Sequence, residues 1–237
     1  MIGSALLFVV AWWQRDALPA PDALAQSVLA EPEQRPTDRA AFQTTVGGIT
    51  YTVRPLFTYD LAGLVVSKHD ADAWWDWIHA ASNDKLNVTD LCVVWGANAE
   101  SGVYRKIDFS SGEFVCYYAW SASEVGAVFD PASLSNNHLL SDDPAIARVL
   151  KGARVGDQVH FRGYLAEYTH DHGFHFFRGT SVTRTDQGNG ACETVFATDA
   201  EVLERGNVIW RNLFWLSPCI FAAALVAWFA LPFRAAR

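Results

Sequence analysis

From Leu213 to Phe233 the chain reads LFWLSPCIFAAALVAWFALPF, 21 residues without a charge, with Arg211 before the run and Arg234 and Arg237 after it. At about 1.5 Å per residue a helix of this length reaches roughly 30 Å, the thickness of a bilayer's hydrocarbon layer. Trp210, Trp215 and Trp228 lie towards its ends, where indoles favour the headgroup level, and Pro218 is tolerable where a membrane helix re-satisfies the freed carbonyl. A core helix of a globular protein normally keeps a polar face, and this run has none. The sequence therefore predicts a transmembrane helix over 210–233 with a short basic tail, 234–237, and a body that works beside a lipid bilayer.

A second apolar run, Ile2 to Trp13, has 12 residues and is followed by Arg15 and Asp16. It is short for a span, and three readings compete over 1–18: an uncleaved membrane anchor, a signal peptide, and an interfacial helix. The only nearby basic residue follows the run, and charges separate it from the cleavage-like Ala23-Leu24-Ala25, so the anchor is preferred. If both runs span, the termini share one side, and Arg234 and Arg237 make that side cytoplasmic and the body extracytoplasmic. Arg205 and Arg211 on the other flank pull against this orientation.

Residues 19–40 hold Pro19, Pro21, Pro32 and Pro36 among Ala, Gln, Asp and Glu, a composition that reads as a tether. The soluble body follows over 41–206, with 41–125 and 126–206 as candidate subdomains. It carries 12 Lys and Arg against 21 Asp and Glu, a balance of −9. Phosphate backbones are bound by releasing counterions to cationic side chains, so no nucleic-acid partner is expected of so acidic a body.

Strand signals begin at Phe42, where FQTTV and ITYTVR flank Gly47-Gly48, a two-residue turn suited to a hairpin. An apolar run, Leu56 to Val66, comes next. Asp70 is predicted to cap a helix in which Trp74, Trp77, Ile78 and Ala81 recur at helical spacing and pack inward; a ligand-stacking role for Trp74, Trp75 and Trp77 is the alternative. DLCVVW reads as a buried strand, and VYRKIDF with EFVCYYAW as a hairpin turning at Ser110-Ser111-Gly112. Asp143-Pro144 starts a helix that Gly152 ends. In VGDQVHFRGYLAEY, Gly163 marks a bulge or bend in a long strand, and a last strand runs near Glu193 to Glu204. The GDxVxFxGxL strand, a variable hairpin and a closing strand form a pattern shared by small closed barrels, OB-like ones among them. The fold class is thus α+β and β-rich: an antiparallel sheet with a small OB-like, partly closed barrel in the C-terminal half of the body, two short helices, and a terminal transmembrane helix or helices.

Among the cysteines, Cys219 lies in the membrane run, and Cys92, Cys116 and Cys192 in the body cannot all pair. Cys92 with Cys116 is the candidate disulfide; buried reduced thiols are the alternative. The densest polar cluster is His170, Asp171, His172 and His175. Three imidazoles so spaced could hold zinc, and a solvent-exposed hairpin tip explains the same residues. Asn136, Asn137 and His138, in a polar stretch between structured regions, form a candidate binding surface or a turn. No GxSxG elbow or HExxH is present, and Gly188 and Gly190 in TDQGNGA precede no helical pattern, so a turn explains them better than a phosphate-cradling loop. These readings favour a membrane-anchored, non-enzymatic binding or assembly module with a membrane or membrane-associated protein partner and no cofactor. A metal-binding enzyme or sensor using the histidine cluster is the alternative, and a nucleic-acid-binding OB-like domain a more distant one.

Overall fold

A computed structural model describes residues 2–74, 76–185 and 192–230. In chain order its elements are helix α1 (Ile2–Gln14), strands β1 (Glu33–Pro36), β2 (Phe42–Val46) and β3 (Ile49–Asp70), helix α2 (Trp77–Ser82), strand β4 (Asn87–Val94) and helix α3 (Gly96–Ser101). Then follow strands β5 (Asp108–Gly112) and β6 (Val115–Ala119), helix α4 (Ser123–Gly126), strand β7 (Leu134–Leu140), helix α5 (Pro144–Gly152), strands β8 (Gln158–His170), β9 (Phe176–Arg178) and β10 (Glu193–Glu204), and helix α6 (Val208–Ala230). The chain divides into two units, one formed by residues up to Ala17 with those from Arg205 onward, the other by Leu18–Glu204.

In the larger unit one strand organises the rest. Gly47 and Gly48 both have positive φ, 59° and 79°, a turn conformation that glycine adopts without a Cβ clash, and they fold β2 back onto the start of β3. The predicted apolar run is the middle of β3, whose 22 residues are long enough to serve several partners. One edge of β3 is covered by β8, from Thr52 opposite Thr169 to Leu64 opposite Gln158. The other edge takes β2, β1 and β4 in succession. Pro55, which has no N–H to give to a ladder, sits beside the register shift at Leu56.

From β3 the pairing runs through β4, β7, β10 and β8 and returns to β3. Only β7 with β10 is parallel within this circuit. With β1, β2 and β9 paired outside it, the result is a large mixed sheet, partly closed and not a clean barrel. The predicted sheet was antiparallel throughout; the β7–β10 pair corrects this, because β10 enters beside β7 only after the β8 return.

Alternation along the strands fills the interior with Tyr59, Leu61, Leu91, Val93, Leu139, Phe161, Leu165 and Val195, closed at one end by Leu150 and Ala153 at the end of α5. Helix α5 starts where an acidic cap and a following proline predict, with Asp143 Oδ1 accepting from Ala145 N at 2.6 Å. Gly163 is in tight contact rather than bulged: an added Cβ would overlap the Phe196 carbonyl oxygen, and the extra residue of the irregularity lies on β10, between Ala197 and Asp199.

The stretch predicted as a tether is part of this unit. Val28 is fully buried with Leu64, Val66 and Tyr104; β1 pairs with β3; Gln158 brackets the segment by donating to Ala23 O at 2.9 Å and accepting from Ala25 N at 2.6 Å. Isolated apolar residues, Leu18, Leu24, Val28 and Leu29, dock it onto the outer face of β3 and β4 despite the prolines. The helix predicted from Asp70 is also shorter than expected. Strand β3 continues to Asp70, and α2 begins only at Trp77, with Trp74 90% and Trp77 77% exposed, so these tryptophans do not form core. The β5–β6 hairpin turns at Glu113-Phe114, the two residues that directly follow the predicted Ser-Ser-Gly, and forms a two-stranded sheet of its own.

The smaller unit holds α1 and α6. Phe8 stacks on Phe214 at 4.9 Å, the Arg15 guanidinium lies 4.4 Å from the Phe214 ring, and Arg211 Nε donates to Arg15 O at 3.3 Å. The end of α1 therefore meets the start of α6, an antiparallel pair. Helix α6, with Pro218 inside it, is long and apolar enough to cross a membrane.

Candidate functional site: a buried polar face beneath a hairpin

The three residues of the predicted binding surface lie on β7, and none is at the surface or in a turn: Asn136, Asn137 and His138 are all buried. Alternation separates them. Asn137 points to the interior side, where its Nδ2 donates to Ser135 Oγ at 2.8 Å and Leu91 O at 3.3 Å, while Asn136 and His138 share the opposite face. On the neighbouring strand, Asp90 stands across from His138 and Cys92 across from Asn136.

Two residues from the β8–β10 connection complete this face. Arg178, the last residue of β9, donates from Nη2 to His138 Nε2 at 3.0 Å. Arginine has no acceptor, so His138 Nε2 accepts and its proton resides on Nδ1, which lies 2.8 Å from Asp90 Oδ1. Asn87 Nδ2 donates to the same carboxylate oxygen at 3.1 Å. Cys192 Sγ lies 3.7 Å from Asn136 Nδ2 and 3.6 Å from the Phe114 carbonyl oxygen. Burial pushes the Cys192 thiol up, so it is held protonated rather than as a reactive thiolate.

The tip of the β5–β6 hairpin covers the cluster. Phe114 has φ 63°, and its ring lies 3.8 Å from the Arg178 guanidinium and meets the His138 ring edge to face at 5.5 Å. The hairpin is anchored by a disulfide from Cys116 to Cys92 and by a 2.7 Å contact between the hydroxyls of Ser67 and Ser111. The arrangement is a covered polar cluster: an imidazole whose Nε2 accepts from Arg178 and whose Nδ1 faces the Asp90 carboxylate, a desolvated thiol, and an aromatic ring over a cation.

The histidine cluster does not assemble into a ligand set. His170 is buried at the end of β8, with Nε2 3.0 Å from Ser82 O and Nδ1 accepting from His172 N at 3.2 Å, and its ring stacks on Phe176. His175 turns outward to Asp171 at 2.7 Å, and no group of His, Cys, Asp and Glu suited to a metal occurs among the described residues. Strand alternation would have placed His170 and His172 on one face, but β8 ends at His170 and the chain turns. Gly188 and Gly190 lie outside the described residues.

Asp90, Phe114, Arg178 and Cys192 were not singled out for the site from sequence. The usable signal was Asp90 itself, a carboxylate in an otherwise apolar strand, which requires a polar partner when buried.

Compared with known proteins, the chain matches no family model, no curated protein and no solved structure.

Proposed function

We infer that the protein is a membrane-anchored, non-enzymatic binding or assembly module whose body is an OB-like barrel held beside the bilayer. The observation that carries this reading is α6. Its apolar side chains lie open over the helix length, with Val226 at 67% and Phe229 at 80% exposure, and lipid is the cover that fits a surface of that length and chemistry. The antiparallel pairing of α1 with α6 supports a membrane hairpin with both termini on one side. The Cys92–Cys116 disulfide supports an extracytoplasmic body, because thiols are kept reduced in the cytoplasm.

The OB-like reading is supported by the strand circuit, with its single parallel pair and with α5 between β7 and β8, the third and fourth of its strands in chain order. In OB folds the second and third strands, with the connection between the fourth and fifth, make the ligand face. Here those are β4, β7 and the β8–β10 connection, the elements that carry Asp90, Asn136, His138, Arg178 and Cys192. Binding rather than catalysis is favoured because Arg178 already occupies His138 Nε2, the nitrogen a general base would need, and because the thiol is protonated. A protein partner is favoured by the exposed aromatic patch of Tyr117, Tyr118 and Trp120, in which Tyr118 and Trp120 stack at 6.1 Å.

Affinity purification of the full chain from native membranes in mild detergent tests this reading. A stoichiometric partner that survives washing, recovered only from the membrane fraction, is the expected result. Recovery of the chain alone, or its presence in the soluble fraction without detergent, would overturn it.

A further inference from the structure

We propose that Phe114 occupies a recognition pocket for an aromatic side chain of a partner polypeptide, so that the β5–β6 hairpin tip is an internal mimic of the ligand. The inference rests on the binding reading above and names the chemistry of what is bound.

Four observations converge on this pocket. First, Phe114 stands at the second central position of the two-residue turn between Gly112 and Val115 with φ 63°, a position where glycine or asparagine is the unstrained choice, so a phenylalanine there carries a backbone cost. Second, its ring and carbonyl meet a set of contacts that would recognise any such residue: a guanidinium 3.8 Å from the ring, an imidazole edge-to-face with it, and a thiol directed at the backbone carbonyl. Third, Asn136 is 5% exposed, its Nδ2 has only the weak acceptor Cys192 Sγ, and its Oδ1 has no hydrogen-bond partner among the described residues. A buried amide oxygen without a donor is costly, and a polypeptide N–H is the donor that fits it. Fourth, Phe114 lies in the turn itself, outside the paired residues that end at Gly112 and Val115, so its side chain can leave the pocket without breaking strand pairing, while the disulfide at Cys116 and the Ser67–Ser111 contact hold the two arms beside it.

An aromatic residue of a partner entering in place of Phe114 would stack on Arg178, accept the Cys192 S–H at its carbonyl, and supply an N–H to Asn136 Oδ1. A nucleobase or a free aromatic metabolite would share only the stack. A residue within a polypeptide matches all three contacts, as Phe114 itself, already a peptide residue, matches the first two.

The test uses the full-length chain in detergent and N-acetylphenylalaninamide as probe, with N-acetylleucinamide as control, measured by calorimetry. Phe114→Gly removes the plug and relieves the φ; Phe114→Leu keeps a smaller apolar side chain, loses the ring and unplugs the pocket in part. The expected result is saturable binding of the phenylalanine probe, with a dissociation constant lower than that of wild type by about tenfold for F114G, less for F114L, and little binding of the leucine control. Adding Arg178→Gln to either variant should abolish the gain. Equal affinity in wild type and both variants, or a gain that survives R178Q, overturns the proposal. F114L keeps the test decisive should F114G not fold. A chain that retains its membrane partner but gains no probe binding refutes this inference alone, leaving the binding reading in place.

Discussion

The Arg178 guanidinium lies between His138 Nε2, 3.0 Å away, and the Phe114 ring, 3.8 Å away, so one cation fixes the tautomer of a buried histidine and the position of the plug above it. Removing the imidazole therefore takes one polar contact from the Asp90 carboxylate and one from the Arg178 guanidinium. His138→Ala should destabilise the protein by about 1.5–3 kcal/mol, the cost of taking a close polar partner from a buried charged group, here the Asp90 carboxylate at 1% exposure, which keeps the Asn87 amide. The double variant His138→Ala, Asp90→Ala should recover part of that loss. Denaturant unfolding of the full chain in detergent measures both, and a single variant within about 0.5 kcal/mol of wild type, the range of an ordinary surface substitution, would show that the pair is not held as described.

The Cys92–Cys116 link closes a loop with a sequence separation of 24. On the chain-entropy argument its loss, through Cys116→Ser, should cost roughly 3 kcal/mol. Mass spectrometry gives an independent check: alkylation of the unfolded, unreduced chain should label Cys192 and Cys219 only, and reduction should add the other two. Four labels before reduction would remove the disulfide and the argument from it for an extracytoplasmic body.

The hairpin at Gly47-Gly48, the capped α5 and the closing strand from Glu193 to Glu204 were legible in sequence because each is specified locally, by a turn pair, a cap or a period of two. The polar stretch at Asn136 was not, because its meaning is set by a strand 46 positions away: Asn137 looks solvated until Leu91 and Ser135 supply its acceptors. Cys192 and Arg178 likewise acquire a role only once they are placed against Asn136 and His138 of β7. The tryptophans after Asp70 misled for the converse reason. Their spacing is helical, but β3 extends through Asp70 and leaves only six residues, Trp77–Ser82, for a helix. The tether was misread from composition, which counts prolines but does not weigh a single Val28 with a cavity to enter.

Two glycines should respond in opposite senses to the same change. At Gly163 an added methyl would overlap the Phe196 carbonyl oxygen, part of a sheet backbone that cannot yield cheaply, so Gly163→Ala should cost at least about 2–3 kcal/mol. At Gly152, the last residue of α5, nothing lies within 4 Å of a built Cβ and φ is not positive. Gly152→Ala should therefore stabilise by about 0.4–1 kcal/mol through the reduced freedom of the unfolded chain. Melting of the two variants side by side checks the contrast, and a stabilising Gly163→Ala would contradict the β8–β10 register.

Alkaline pH should loosen the body in an order set by its buried acids. Burial raises the Cys192 thiol above its ordinary 9.0, and burial first, then the nearby carboxylates Glu193 and Asp84 respectively, hold the Tyr59 and Tyr168 phenols well above 10.0. A group whose folded pKa is raised contributes its stability in full below the unfolded value and loses it as pH climbs towards the folded one, because the unfolded chain releases the proton first. Stability should thus decline from about pH 9 as the unfolded thiol ionises, and more steeply from about pH 10 when these phenols join together with Tyr51 and Tyr104, both pushed up to about 12 by burial, each group contributing a slope of up to about 1.4 kcal/mol per pH unit. Cys192→Ala should flatten the first stage and leave the second, and Tyr168→Phe should reduce the second, after allowance for its lost bond to Asp84. Unfolding midpoints across that range measure the effect; a profile that stays level or rises towards pH 11 would mean that these groups are hydrated in the folded protein, and that the interior of the strand circuit is open to water.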